Sequence, residues 1–285
     1  MKKKRLLSVL LAGAMALSLT ACGGQQGVTN NASEAPSSEE AAQTQAAASE
    51  TEQAEESVKP ETPTGQLVLG FITDLEGEFY DPSFNNTATN YKAYDLIHGY
   101  STVTYTKEGE FEYDPTVVAS HEEVENEDGT KTYTVTINDG LTWNDGTPIT
   151  AKDYVFQMLL ESSPEMNQVD GYPCLTGNYY VGYEEFLAGE TEAFAGVHLI
   201  DDMTFSLTVK AEELPFHYDI TYASAMPRPL SVIAPGCDVV DTEEGATITG
   251  DFTAELLQET INNPDTGYRY NPQLTCGPYN FVSYD

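Results

Sequence analysis

The chain has 285 residues and carries 46 Asp and Glu against 12 Lys and Arg, a formal net charge of −34. Four of the cations stand within the first five residues, so beyond them eight face all 46 carboxylates and the balance is −38. This excludes binding to nucleic acid through its phosphates, which needs clustered cations, and it excludes adhesion of the protein surface to anionic lipid.

Met1-Lys2-Lys3-Lys4-Arg5 precede an apolar run over residues 6–19, and Leu19-Thr20-Ala21-Cys22 closes the segment. A basic start, a short apolar stretch and a small-residue junction form a secretory signal peptide, assigned to residues 1–21. The run is shorter than the roughly 20 apolar residues a helix needs to cross a bilayer. Leu19-Thr20-Ala21-Cys22 resembles the lipobox of bacterial lipoproteins. The resemblance implies that Cys22 receives a diacylglyceryl group and becomes the mature N-terminus. The chain is then lipid-anchored on the outer face of the bacterial cytoplasmic membrane. More than one acyl chain makes such an anchor stable, where a single chain binds marginally.

Residues 22–65 read as a lipidated Cys followed by a disordered acidic linker. They hold eight Glu, no aromatic residue and only Val28 and Val58 as aliphatic side chains larger than Ala. Such a stretch buries too little apolar surface to offset the entropy of ordering, and its like charges extend it.

The body, residues 66–285, is long enough for one large or two smaller cores. Leu67-Val68-Leu69-Gly70-Phe71-Ile72 is a continuous apolar run and predicts a strand buried on both faces. Residues 79–86 follow as a loop, with Asp81-Pro82 starting a turn. Residues 90–99 predict a short helix ended by Gly99. Thr132-Tyr133-Thr134-Val135-Thr136-Ile137 alternates with period two and predicts a strand with one wet face. Asn138-Asp139-Gly140 turns the chain, Leu141-Thr142-Trp143 begins a return strand, and Asn144-Asp145-Gly146 turns it again. Thr150 and Asp153 then open a helix as an acidic capping box, with Tyr154, Val155, Met158 and Leu159 as its buried stripe. Residues 196–209 predict a hairpin turning at Asp201-Asp202. Residues 275–285 alternate like a final strand that stops without a terminal helix, as if a domain were interrupted.

The segment Gly140-Leu141-Thr142-Trp143-Asn144-Asp145-Gly146-Thr147-Pro148-Ile149-Thr150-Ala151-Lys152-Asp153-Tyr154-Val155-Phe156 resembles the large solute-binding lipoproteins of ABC importers, the oligopeptide-, dipeptide- and nickel-binding family. Their pattern there is G-x-x-W-x-D-G-x-P-x-T-A-x-D-x-x-F. Asp81-Pro82 resembles the family's D-P loop, and Cys276-Gly277-Pro278-Tyr279 its T-G-P-Y strand, departing at Cys276. Trp143, Asp145, Gly146, Pro148, Asp153, Gly277, Pro278 and Tyr279 are read as residues that fix turns and packing rather than touch ligand.

The resemblance implies an α/β fold, a two-lobed periplasmic-binding-protein-like architecture with mixed sheets and flanking helices. Of it this sequence holds the N-terminal part, the first lobe with a side subdomain at about 100–200, and lacks the second lobe. It further implies a peptide ligand held largely through its backbone between closing lobes, ABC permease subunits as partners, no cofactor, and a monomer. Position alone makes Thr73, Asp74, Tyr80, Asp81, Asn85 and Asn86, in the loop after the first strand, the candidate ligand contacts. The alternatives are a surface interaction lipoprotein, or a truncated remnant that binds nothing.

Three thiols remain after export. Cys237 and Cys276 flank the last predicted strands and are the candidate disulfide in an oxidising compartment, with Cys174 left over; in an anaerobe all three stay reduced. His98, His121, His198 and His217 are scattered and form no metal-ligand pair, so no metal is expected. Asp145 has no partner carboxylate or His at useful spacing, and no G-x-S-x-G, P-loop or G-x-G-x-x-G stands in the sequence, so no enzyme activity is expected.

Overall fold

The computed structural model describes residues 65–284 apart from 67, 82, 85 and 86. The signal segment, Cys22 and nearly all of the linker lie outside the described residues, as do Asn85 and Asn86. Residues 67–285 form one compact unit.

The chain is α/β. Helix α1 (Ala88–Ile97) starts at Thr87, whose hydroxyl accepts from the Asn90 amide at 3.3 Å. It ends at His98, one residue short of Gly99. The left-handed backbone expected of a capping glycine falls on Tyr100 (φ 58°). A short ribbon, β1 (Val103–Tyr105) with β2 (Phe111–Tyr113), follows. The main sheet contains β3 (Val118–Glu125), β4 (Lys131–Ile137), β5 (Val197–Leu199) and β6 (Thr204–Val209), in the order β3-β4-β6-β5. A second ribbon pairs β7 (Asp238–Thr242) with β8 (Gly245–Thr249). Every named strand pairing among the described residues is antiparallel.

Strand β4 lies at the sheet centre, with Tyr133, Val135 and Ile137 buried on one face and the intervening threonines half-buried on the other. Thr132 and Thr136 meet Thr208 and Thr204 of β6 at 3.0 and 3.2 Å, the polar ladder of that wet face. The return strand at 141–143 reduces to one bridge, Thr142 to Pro148. The hairpin predicted at 196–209 forms between β5 and β6, turning at Asp201.

Helix α2 (Ala151–Leu160) is the core element. The Asp153 carboxylate accepts from the Thr150 amide at 2.9 Å, holding the first turn. The buried stripe extends almost round the helix, because Phe156, Gln157 and Leu160 are buried together with Tyr154, Val155, Met158 and Leu159. The sheet covers one side, where Tyr154 stacks on Phe205 of β6 with ring centres 5.5 Å apart. The ribbon β7–β8 and the short helix α4 (Leu230–Ile233) pack on the helix as well. Helices α3 (Tyr183–Leu187) and α5 (Ala254–Thr260) lie at the periphery.

Two expected strands are not formed. Residues 68–71 form no strand and residue 72 bends, with Val68 79% and Ile72 105% exposed. An apolar run becomes a buried strand only where a neighbour supplies backbone partners and a cover, and no described strand does so here. Residues 275–284 also lack strand pairing. They run along the end of α1 instead, where Gly277 and Tyr279 donate their amides to Ile97 and Leu96 at 2.8 and 2.9 Å.

The Cys237–Cys276 bridge is not formed: Cys174, Cys237 and Cys276 are all free thiols. Cys276 Sγ faces the Gly99 carbonyl at 3.5 Å, whereas Cys237 packs beside Gly250 at the start of β7. Each sulfur is committed to a different neighbourhood, and burial raises the Cys276 pKa to about 11.

Candidate functional site

The loop after residues 68–72 carries the candidate ligand contacts, and two buried arginines hold it. Asp81 Oδ1 accepts from the Ser83 amide at 2.7 Å, which shapes the turn. Asp81 Oδ2 pairs with Arg228 Nη2 at 2.8 Å. Arg228 is fully buried, directs Nε at Glu161 Oε1 (2.6 Å) and Nη1 at the Tyr80 carbonyl (3.1 Å) and Tyr94 hydroxyl (3.3 Å). Its guanidinium lies 4.6 Å from the Tyr80 ring centre. Charge pairing, a forked donor set and ring stacking thus meet on one side chain, which suits arginine and not lysine.

Glu161 follows the last residue of α2. Its second oxygen accepts from Thr176 at 2.9 Å and Gln157 at 3.3 Å. Burial pushes its pKa up against the pull of Arg228. The second arginine, Arg269, clamps the start of the loop: Nη2 meets Glu78 at 2.7 Å, and Nη1 meets Asp170 at 2.8 Å and Asn262 at 2.7 Å. Its guanidinium sits 4.0 Å from the Phe84 ring centre, and its carbonyl accepts from the Phe79 amide at 2.6 Å. His98 reaches the Phe79 carbonyl through Nε2 at 2.7 Å, so Nε2 carries the proton. Burial lowers the His98 pKa to about 3, helped by the nearby Arg228 charge, and keeps the ring neutral.

The six candidate contacts therefore divide. Tyr80 is fully buried, its hydroxyl 3.4 Å from Glu161 and its ring edge-on to Tyr172 and Tyr268; it is part of the scaffold. Asp81 is half-buried and tied to Arg228. Thr73 and Asp74 are exposed, and Thr73 is anchored at its hydroxyl and carbonyl by Thr89 of α1. Asn85 and Asn86 lie outside the described residues. The arginine pairs hold Glu78 and Asp81, and Thr73 and Asp74 stand exposed ahead of them. It offers no nucleophile–base pair, since Asp81 and Glu161 share one guanidinium. Among the described residues, no three His, Cys, Asp or Glu side chains converge as a metal site, and no helix is long and apolar enough to cross a membrane.

Of the motif residues, Trp143, Asp145 and Gly146 shape one turn, whereas Pro278 and Tyr279 are exposed. Gly146 has φ 86° in the turn closed by its amide on the Trp143 carbonyl at 2.9 Å. Asp145 Oδ1 accepts from the Thr147 amide and hydroxyl at 2.8 and 2.7 Å, and Trp143 is buried. Sequence reasoning missed Arg228 and Arg269. The available signal was an arginine set between prolines in the apolar context Ala225-Met226-Pro227-Arg228-Pro229-Leu230, an unusual place for a solvated charge.

Comparison with known proteins gives three kinds of likeness. The model for the middle region of bacterial extracellular solute-binding proteins, family 5, matches residues 113–285. The periplasmic oligopeptide-binding protein OppA of Salmonella typhimurium is 31% identical over 106 residues, 36% of this chain and 19% of that protein. The probable deoxycholate-binding periplasmic protein YgiS of Escherichia coli is 28% identical over 148 residues, 51% of this chain and 27% of that protein. These matches thus span less than a third of either relative. Among solved structures, the oligopeptide-binding protein AppA of Bacillus subtilis in complex with a nonapeptide aligns over 73% of this chain and 31% of its own, at 14% identity and TM-score 0.45. Lactococcal OppA complexed with an endogenous peptide aligns over 73% and 34%, at 18% identity and TM-score 0.43.

Proposed function

From its membership in the bacterial extracellular solute-binding proteins of family 5, to which this chain belongs, we propose that it contributes to capturing peptides outside the cell for delivery to the permease of an ABC importer. The observation that carries the peptide reading is the likeness to relatives named as oligopeptide-binding proteins. The chemistry of the rim is compatible with it. Exposed Asp74 offers a carboxylate to a peptide amino group, ahead of Glu78 and Asp81, which pair with Arg269 and Arg228. The strongly acidic balance of the chain disfavours an anionic ligand such as a bile acid and favours neutral or cationic peptides. The family is one of binding proteins rather than enzymes, so retention and release, not turnover, are the activity.

The signal segment and the lipid on Cys22 complete the proposal. A diacylglyceryl anchor holds a chain that anionic headgroups repel, and the acidic linker gives the body reach from the membrane. Metabolic labelling with an alkyne fatty acid should tag the chain, and Cys22→Ser should abolish the tag and release the protein from the membrane. A tag that survives the substitution would remove the anchor from the reading.

The binding claim is tested by thermal shift of the full chain against pooled di- to penta-peptides. A peptide at 100 times its Kd stabilises the fold by about 2.7 kcal/mol, a shift of a few degrees. A chain that melts cooperatively and that no pool moves does not bind peptide by itself, and a surface interaction role then takes precedence.

A further inference from the structure

Away from the loop that the arginines hold, the chain that leaves β6 folds into short 3-10 turns at Ala211–Glu213 and Asp219–Ala223. Between them and the segment before α3 lies an open cleft of about 620 Å³. Its walls are aromatic and its rim is acidic: Tyr179, Phe216 and Tyr222 line it together with Leu214, Glu212 and Glu213. Tyr222 is the most buried of the three rings, at 7% exposure, and lies between the other two. Its ring centre is 5.0 Å from Tyr179 and 5.5 Å from Phe216, with both pairs tilted by 45–49°. Tyr179 and Phe216 are each about two-fifths exposed, so their faces are open to solvent.

The cup is held in place before anything enters it. The Tyr180 hydroxyl donates to the Tyr222 carbonyl at 2.7 Å, and the Tyr222 hydroxyl donates to the Glu213 carbonyl at 3.3 Å. The Lys210 amide donates to the Tyr179 carbonyl at 2.9 Å, tying that wall to the end of β6. No Lys or Arg lines the cleft. The two cations at this end of the sheet are committed elsewhere: Lys210 to Glu184 at 2.6 Å and the Asn178 carbonyl at 2.9 Å, Lys131 to Glu123 and Asp219 at 2.7 Å each. Glu212 and Glu213 form no ion pair among the described residues.

We propose that this cleft is a binding site for a small organic cation with an alkylammonium head. Tyr222 is buried beneath its neighbours, so such a head would rest against the exposed parts of Tyr179 and Phe216, where aromatic rings attract a cation within about 6 Å of their centres, and the two rim carboxylates would supply the opposite charge. Pre-ordered rings lose little entropy on binding, and a methylated ammonium gives up less hydration than a bare one. An anion or a neutral polar solute would meet the same carboxylates without compensation. The site shares no lining residue with the loop at 73–86 and stands whether or not the peptide reading does.

The test is calorimetric titration of the full chain at low salt with choline and with its uncharged carbon isostere, 3,3-dimethylbutan-1-ol. Choline should bind saturably in the millimolar range or better, with the isostere at least about tenfold weaker. Phe216→Ala and Glu213→Gln, at surface positions and checked for an unchanged melting temperature, should each weaken choline several-fold. Nα-acetyl-lysine amide in a parallel titration tells the source of the head: tighter binding than choline assigns the site to a peptide side chain, weaker binding to a free quaternary amine. Equal affinity for choline and its isostere, absence of saturable binding by the folded chain, or full affinity in both variants would overturn the proposal.

Discussion

Arg228 lies with its side chain 1% exposed between two carboxylates, and Glu161 beside it is equally buried. Removing the cation alone leaves Glu161 charged in a dry site, so Arg228→Ala should cost about 3–5 kcal/mol, read as a lower urea midpoint. Replacing the cluster together, as Arg228→Met with Glu161→Gln and Asp81→Asn, should restore most of that loss. A triple variant no more stable than Arg228→Ala would mean that the guanidinium matters for loop shape rather than for charge. His98 and Asp153 act oppositely on acidification. His98 is held near pKa 3 by burial, while an unfolded histidine takes its proton near 6.5. The unfolded state therefore binds more protons in that window, and stability falls as pH drops from 6.5 toward 3, by up to about 1.4 kcal/mol per unit. His98→Gln should lose less stability than the parent between pH 6.5 and 5. Burial raises Asp153 to about 6, so between the unfolded value near 4 and pH 6 the folded state binds the extra proton. Stability from this group is present below about pH 4 and is lost as pH rises through 6. Asp153→Asn should gain on the parent between pH 4.5 and 7.5; a pH-independent difference would remove Asp153 from the account.

At the scale of elements, glycines separate two kinds of constraint. A Cβ on Gly277 would stand 2.4 Å from Ile97 C and 2.6 Å from Leu96 O, both backbone atoms at the end of α1. Gly277→Ala must push residues 276–279 off that helix and should cost at least about 2 kcal/mol. At Gly140 the space is open and only φ 88° is at issue, so Gly140→Ala should cost about 1 kcal/mol. Equal losses, measured by urea unfolding, would refute the close approach at Gly277. The same contrast explains what the sequence made legible. Strand β4, the turn at Gly140, helix α2 with Asp153 at its start and the 197–209 hairpin all rest on signals within a few residues of one another. The runs at 67–72 and 275–285 carry strand-like patterns, but pairing depends on a neighbour far along the chain, and no local pattern encodes that. Arg228 likewise reaches Glu161 and Asp81 across 67 and 147 residues. The rim at 73–86 was placed by position, which found the exposed Thr73 and Asp74 but could not tell that Tyr80 is core. The aromatic cleft gave no sequence signal, because Tyr222, which touches both Tyr179 and Phe216, lies 43 residues along the chain from Tyr179.

For the whole molecule the dominant quantity is charge. With 38 carboxylates against seven cations in residues 66–285, the folded body gathers like charges that the unfolded chain spreads apart, so self-repulsion opposes folding. Salt has two opposing effects. It weakens the exposed pairs Lys92–Asp95 and Lys107–Glu108, whose N–O distances are 3.7 Å and whose kind contributes about 0–1 kcal/mol. It leaves the buried Arg228 cluster nearly untouched, because counterions do not reach it. It also screens the repulsion among all exposed carboxylates, since the screening length falls from about 30 Å at 0.01 M to about 3 Å at 1 M. The many weak repulsions outweigh the few weak attractions. The melting temperature should therefore rise by several degrees between about 0.01 M and 0.5 M sodium chloride, a range in which the screening length shrinks several-fold. The rise should saturate near the concentration at which that length falls below the spacing of surface charges. Guanidinium chloride at low concentration should follow the same curve before its denaturing action takes over. A melting temperature that falls with salt from the outset would mean that exposed ion pairs, and not repulsion, set the electrostatic balance of this fold.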